Sequence, residues 1–325
     1  MSRPLRIQYE GALYHVTCRG NERKAIYKDD QDRKVFLGLL NSGIETYNII
    51  LYCYVLMENH FHLLLETPLG NLSEFMRWFN IIYTSHYNRR QKRTGHLYQG
   101  RYKSILVEKE AHLYILSRYI HLNPVRVKQM KKVSLSERKN YLKKYAWSSL
   151  PCYINDTRKN NFIDYAQVLE PYGGDDKNGR KLYWKTIGDD LSVGIDIKEK
   201  VVGGSILGSS AFIDWVRDSF LPLKSREIPA VRHLRKYKGK EEIIEAICRG
   251  AGKSVDEIIN KRGSVRQIAM DLLYRFGGLK GTEIGGMMGV DYSTVSQGRK
   301  RLREKLKKDK KLSTLMKKIE ADLSF

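Results

Sequence analysis

The sequence predicts an α+β unit ahead of an all-α unit, on three observations. Between residues 13 and 123 the period of the apolar side chains switches repeatedly between two and 3.6. After residue 264 only the helical period is found, broken by one glycine-containing turn. Charge is concentrated at the two ends. Residues 1–130 hold 19 basic and 11 acidic side chains, residues 131–225 hold 16 and 12, and residues 226–325 hold 24 and 13.

In the first unit, Leu13 to Arg19 alternates as a strand does. Asp29 to Tyr47 carries Val35, Phe36, Leu39, Leu40 and Ile44 at helical spacing behind an acidic first turn. Ile49 to Met57 and His60 to Glu66 are two strands joined tightly through Glu58 and Asn59. Asn71 is positioned to cap a helix running to about Arg93, with Phe75, Phe79, Ile82 and His86 on one face. Lys103 to Glu108 is a strand, and Glu110 to Asn123 a helix stopped by Pro124. The order βαββαβα is a ferredoxin-like α+β pattern. In the last unit Ile268, Leu272 and Phe276 lie four apart in Ser264 to Phe276. Thr282 can cap a short helix through Met288, Gly289-Val290-Asp291 makes a turn, and Ser293 to Lys308 forms a basic helix. Together they make a helix-turn-helix pattern.

The chain has 325 residues, room for two or three units. The expected divisions are 1–130, 131–225 and 226–325, with linkers at Lys131 to Lys144 and Leu221 to Pro229. A net charge of +23 points to a polyanionic partner. Met1 to Glu10 has no apolar run and no stretch approaches a membrane span, so neither a leader peptide nor a membrane is expected. Cys18, Cys53, Cys152 and Cys248 lack CxxC spacing, which fits reduced core thiols and a cytoplasmic, nucleoid-associated protein. Gly203 to Ser210 has phosphate-loop glycine spacing, but Ser209 stands where the lysine belongs, so no nucleotide cofactor is expected. Nothing in the sequence identifies a protein partner.

The sharpest local pattern is His60-Phe61-His62. Strand geometry sends both imidazoles to one face and Phe61, Leu63 and Leu65 to the other. Two imidazoles side by side can form part of a divalent metal site, although an isolated HxH is more often a structural pair. Tyr119 and Asn123, four apart, share a helix face, so a phenol would stand beside an amide oxygen. That spacing alone is commonplace. On the same helical wheel His121 points about 200° from Tyr119, and Tyr114 about 180° from Asn123, which makes Tyr114 the poorer nucleophile.

These residues resemble the His-hydrophobic-His signature of single-tyrosine HUH transposases, and in particular the REP-associated tyrosine transposases. Tyr14-His15-Val16-Thr17-Cys18-Arg19-Gly20-Asn21, Tyr54 to His62, Tyr98-Gln99-Gly100-Arg101-Tyr102-Lys103 and Tyr119 to Arg126 carry the resemblance. It implies His60, His62 and Asn123 as metal ligands, with asparagine where relatives outside the branch have glutamine, and Tyr119 as nucleophile. Mg²⁺ or Mn²⁺ suits one amide oxygen, two imidazoles and water. The implied activity is single-strand cleavage and strand transfer on hairpin-forming repeat DNA through a 5′-phosphotyrosine. Tyr145 to Ser149 and Ile206 to Phe212 resemble the same branch, where they fall in a helical extension.

Strand-holding candidates are Arg89, Arg90, Lys92, Arg93, Arg101 and Lys103, interleaved with Tyr98 and Tyr102 as rings for unpaired bases. A solvated basic face fits the Arg89 to Arg93 run equally well. Arg19 and Asn21 sit at a strand end where substrate can approach. Residues 264–308 resemble the origin-binding domain of the DnaA initiator, with Tyr292 replacing its histidine in Asp291-Tyr292-Ser293-Thr294-Val295. That replacement bars carrying over the family's base preference, but the shape of the helix-turn-helix sets Ser293, Thr294 and Gln297 near base edges of a duplex, with Arg299, Lys300, Arg301 and Arg303 on phosphates. The alternative for this helix is a basic surface packing on its own unit. Two other functions compete: a catalytically silent DNA-binding regulator, against which the intact His60, His62, Tyr119 and Asn123 argue, and a replication-initiator nickase.

Overall fold

One strand, β1 (Ala12–Arg19), pairs on both sides and thereby fixes the sheet. It runs antiparallel to β3 (His60–Thr67) and to β4 (Lys103–Val107), while β2 (Ile50–Leu56) is antiparallel to β3. The computed structural model describes residues 6–195, 197, 200–220 and 237–323. Helix α1 (Asp30–Tyr47) links β1 to β2, and α2 (Leu72–Arg90) links β3 to β4, giving the strand order β2-β3-β1-β4 of the expected ferredoxin-like pattern. Asp29 caps α1 by accepting from the Asp32 N–H at 3.1 Å. Asn71 caps nothing with its side chain; its amide donates to the Tyr47 carbonyl at 2.9 Å and joins the two helices.

The Phe61 face of the sheet is covered by α1 and α2. Phe36 meets Phe79 at 4.7 Å and Phe61 and Tyr83 at 5.0 Å between ring centres. The buried stripe of α2 is Leu72, Phe75, Met76, Phe79, Tyr83 and Tyr87. Ile82, expected on that face, is exposed, because Tyr83 and Tyr87 rotate the stripe by bonding to the carbonyls of Ile26 and Ala25. Helix α3 (Lys109–His121) packs on the strands from the opposite side and meets β2 and β3.

The segment after α3 belongs to the same unit. A single core runs from Ile7 to Val216. The expected linker Lys131 to Lys144 is ordered as a short 3₁₀ turn and α4 (Leu135–Lys144), started by a Ser134–Glu137 capping box. Helices α5 (Leu150–Ile154), α6 (Ala166–Leu169), α7 (Lys177–Val193) and α8 (Ser210–Phe220) follow. The extension is not purely helical: β5 (Val201–Val202) and β6 (Ile206–Leu207) continue the sheet, with β6 parallel to β4. The other edge is closed too. The chain from Trp147 to Asp164 runs beside β2, with Leu56 N–H donating to Trp147, Ser149 N–H to Tyr54 and Asp164 N–H to Leu51 at 2.8–3.0 Å.

The chain divides into Met1–Leu234 and Arg235–Phe325. The expected boundary at 225/226 and the linker Leu221 to Pro229 lie outside the described residues. The second unit has its own core, from Ile243 to Leu323, built by α9 (Lys240–Ala251), α10 (Val255–Asn260), α11 (Ser264–Arg275), α12 (Gly281–Met287), α13 (Tyr292–Lys308) and α14 (Lys310–Asp322). Lys280, not Thr282, occupies the N-cap of α12, and the Glu283 carboxylate accepts from the Lys280 N–H. Between α12 and α13 the chain turns through Gly289 at φ +60°. Asp291 caps α13, accepting from the Thr294 N–H at 2.8 Å. Among the described residues no helix is long and apolar enough to cross a membrane.

Candidate active site

The β1–β3 register sets Arg19 opposite His60, Thr17 opposite His62 and His15 opposite Leu64. Side-chain alternation therefore gathers Arg19, Thr17, His15, His60 and His62 on the face away from Phe61. The His60 and His62 rings, both half-buried, lie 5.0 Å apart at 74°. Asn59 orients the first of them. Its Nδ2 donates to the Arg23 carbonyl at 2.9 Å, so its Oδ1, 2.7 Å from His60 Nδ1, is the accepting atom. His60 Nδ1 then carries the proton and Nε2 presents a lone pair. Burial, together with the Arg19 charge, lowers the His60 pKa to about 4, so the ring is neutral near pH 7.

His62 is held by a residue the motif reading passed over. His62 Nδ1 lies 2.8 Å from His15 Nε2, and the rings stack at 5.0 Å and 18°. His15 is buried, which lowers its pKa to about 4, so it too is neutral. His15 lies within the Tyr14 to Asn21 motif, and its signal in the sequence is its parity with Thr17 and Arg19 on a strand paired to the HxH strand.

Tyr119, in the last turn of α3, is buried, and its ring stands edge-on to His15 at 6.3 Å. Asn123 Nδ2 donates to the carbonyls of Tyr119 and Ile120, both at 3.1 Å, closing the helix end. With the amide nitrogen committed to the backbone, Oδ1 is turned away from it. Arg126 returns over the Tyr119 ring, its guanidinium carbon 4.5 Å from the ring centre. The structure thus groups His15, His60, His62 and Tyr119, with Asn123 one helical turn beyond. His121 points elsewhere, as expected: its ring nitrogens meet Tyr183 Oη and Ser149 Oγ, each at 2.8 Å, and burial lowers its pKa to about 3. Tyr114 lies beside Tyr172.

Among the described residues no three His, Cys, Asp or Glu side chains are grouped to hold a metal. The implied donor set contains only two such residues and an amide. Its chemistry fits a divalent ion in two respects: His60 keeps Nε2 for a ligand, and Asn123 keeps its oxygen.

The strand-holding candidates divide into two groups. Arg19, Asn21, Arg89, Lys92, Arg101 and Lys103 are exposed, and Lys103 is the β4 partner of Thr17, on the histidine face. Arg93 is partly buried, its guanidinium 5.7 Å from the Tyr87 ring centre. Arg90 does not fit the expectation of a phosphate contact: it bonds Asp29 and fully buried Asp32 at 2.6–2.8 Å, locking the end of α2 to the start of α1. Tyr98 and Tyr102 are buried and offer no ring to a base. Tyr98 lies against Phe61, and Tyr102 carries the Arg6 guanidinium 4.4 Å from its ring centre. In the second unit Ser293, Thr294, Gln297, Lys300, Arg301 and Arg303 are exposed along α13. Arg299 is turned inward instead, 3.2 Å from Asp271 and 3.4 Å over the Tyr274 ring.

Residues 8–123 match the family model described as "Transposase IS200 like". The matched segment contains all four residues of the expected ligand and nucleophile set. Among solved structures, one described as "Structure of the REP associates tyrosine transposase bound to a REP hairpin" is similar over 51% of this chain and 96% of that one, with 13% identity and a TM-score of 0.38. No curated protein matches the chain.

Proposed function

We propose that the chain, similar to transposases over residues 8–123, cuts and rejoins single-stranded DNA at hairpin-forming repeats, with Tyr119 as nucleophile. The observation that carries this reading is the approach of a tyrosine from α3 to His15 of β1, which in turn meets His62 of β3 beside the oriented His60. The Tyr119 oxygen attacks the scissile phosphorus as the bond to the 3′ oxygen breaks. The phenol loses one proton and the departing 3′ oxygen gains one, leaving a 5′-phosphotyrosine and a 3′-hydroxyl. Because one phosphodiester is exchanged for another, a second strand's 3′-hydroxyl can reverse the attack without ATP.

His60, His62 and Asn123 would hold Mg²⁺ or Mn²⁺, which would supply charge neutralisation at a non-bridging phosphate oxygen. Arg19 and Lys103 flank the histidine face and are placed to guide the strand toward Tyr119. The exposed α13 side chains Ser293, Thr294 and Gln297 are assigned to duplex base edges, and Lys300, Arg301 and Arg303 to phosphates.

Tyr119→Phe tests the reading. The variant is expected to bind a hairpin oligonucleotide as the parent does, while losing cleavage and the covalent adduct. Mass spectrometry of a trapped adduct locates the attachment, and an adduct on Tyr114 would refute the assignment.

A further inference from the structure

We propose that Arg126 is the cation that receives the scissile phosphate as Tyr119 attacks it. This inference rests on the reading above and adds a residue to it. Arg126 lies three positions beyond the matched segment. Local geometry brings it back: Pro124 ends α3, and the 3₁₀ turn Asn123–Val125 folds the chain so that residue 126 stands over residue 119.

Three observations distinguish this arginine from its neighbours. Its guanidinium carbon is 4.5 Å from the Tyr119 ring centre, where the electron-rich face attracts a cation and the cation in turn fixes the ring. One of its nitrogens donates to the Ile195 carbonyl at 2.7 Å, so the side chain is anchored at the nucleophile from outside the catalytic segment. Arg90, Arg118 and Arg180 are neutralised by Asp29, Asp190 and Asp175, whereas that donation goes to an uncharged carbonyl and Arg126 is exposed. A guanidinium has five N–H donors in a planar fork that matches two phosphate oxygens. Any phosphate within reach of the Tyr119 oxygen approaches that fork, and negative charge growing on phosphorus-bound oxygens during attack would be met by donors already in position.

The experiment uses full-length protein, Mn²⁺ and a 5′-labelled single-stranded DNA oligonucleotide that folds into a hairpin. Single-turnover cleavage at saturating hairpin is measured for Arg126→Ala, Arg126→Lys and Tyr119→Phe, alongside hairpin affinity and melting temperature. Arg126→Ala is expected to cleave about 100-fold more slowly with unchanged melting. Added guanidinium chloride at millimolar concentration should restore part of that rate, and Arg126→Lys should be intermediate. Cleavage by Arg126→Ala at the parental rate overturns the proposal. So does a loss that guanidinium leaves unchanged, since the arginine would then act only through binding or packing. Failure of the underlying reading shows separately, as cleavage by Tyr119→Phe.

Discussion

Because Asn59 gives its Nδ2 to the Arg23 carbonyl, the nitrogen that His60 can offer a metal is decided outside the HxH pattern. The same holds for His62, whose Nδ1 is engaged by His15. His15→Leu keeps the volume and the apolar contacts of a buried position but removes that partner. It is expected to weaken Mn²⁺ binding to the chain about 10- to 100-fold, read by titration calorimetry, with secondary structure unchanged by circular dichroism. Equal affinity in parent and variant would show that His62 needs no support from β1. Strand parity put the two histidines on one face and helical spacing put the phenol on the face of Asn123, while their roles came only from the family resemblance. The supporting shell was not legible, because a hydrogen bond between His15 and His62 joins residues 47 apart. Basic side chains show the same division. Nothing in the composition distinguishes Arg90 from Arg89, yet Arg90 alone of the two faces Asp29 and Asp32. Arg90→Ala should therefore lower the melting temperature, whereas Arg89→Ala should leave it unchanged and only weaken single-strand binding, both checked by thermal denaturation and a binding titration.

At the scale of elements, α3 works on both its faces. One carries Tyr119 to the histidines; the other inserts His121 between Tyr183 of α7 and Ser149 beside β2, and Arg118 pairs with Asp190 of α7. The helix that carries Tyr119 is thus held in place by the segment that follows it, and the Tyr145 to Ser149 segment serves that packing. Its Ser149 accepts from the Tyr54 N–H and bonds His121. His121→Ala removes a fully buried ring and leaves two hydroxyls short of a partner, a loss of about 2–4 kcal/mol in urea denaturation. Mn²⁺ affinity at temperatures where the variant is folded should be unchanged. If the ion were lost with His121 while the fold persisted, the helix-face assignment would be wrong. Helical and strand periods revealed βαββαβα even though β1 and β2 are buried on both faces. The two-residue strands β5 and β6 are too short to show a period, and the long-range closure of the β2 edge leaves no local trace.

At the scale of the molecule, each unit has a core of its own, so the division at 234/235 separates two folding units and, on the proposed reading, two DNA-binding tasks. The first must accept a flexible strand at a face bearing Tyr119. The second presents α13, whose buried side is Val295, Gly298 and Leu302 and whose remaining surface is dominated by lysine and arginine. Gly298 sets how closely that helix packs, since a Cβ there would lie 2.8 Å from Met270 Sδ on α11. With Arg299 committed to Asp271, the proposed phosphate contacts reduce to Lys300, Arg301 and Arg303. A chain ending at Leu234 should therefore still cleave a short hairpin at high protein concentration, and should lose affinity for the same hairpin carrying flanking duplex. Each phosphate contact removed should lower the slope of log K against log salt by roughly one, so replacing Lys300, Arg301 and Arg303 with alanine should lower it by about three in the full-length protein. Replacing Arg299 should leave the slope unchanged and reduce stability instead. Binding titrations across a salt series, on hairpins with and without duplex flanks, measure both effects. A truncated chain that holds flanked duplex as tightly as the full chain, with the same salt slope, would show that the second unit is not the anchor.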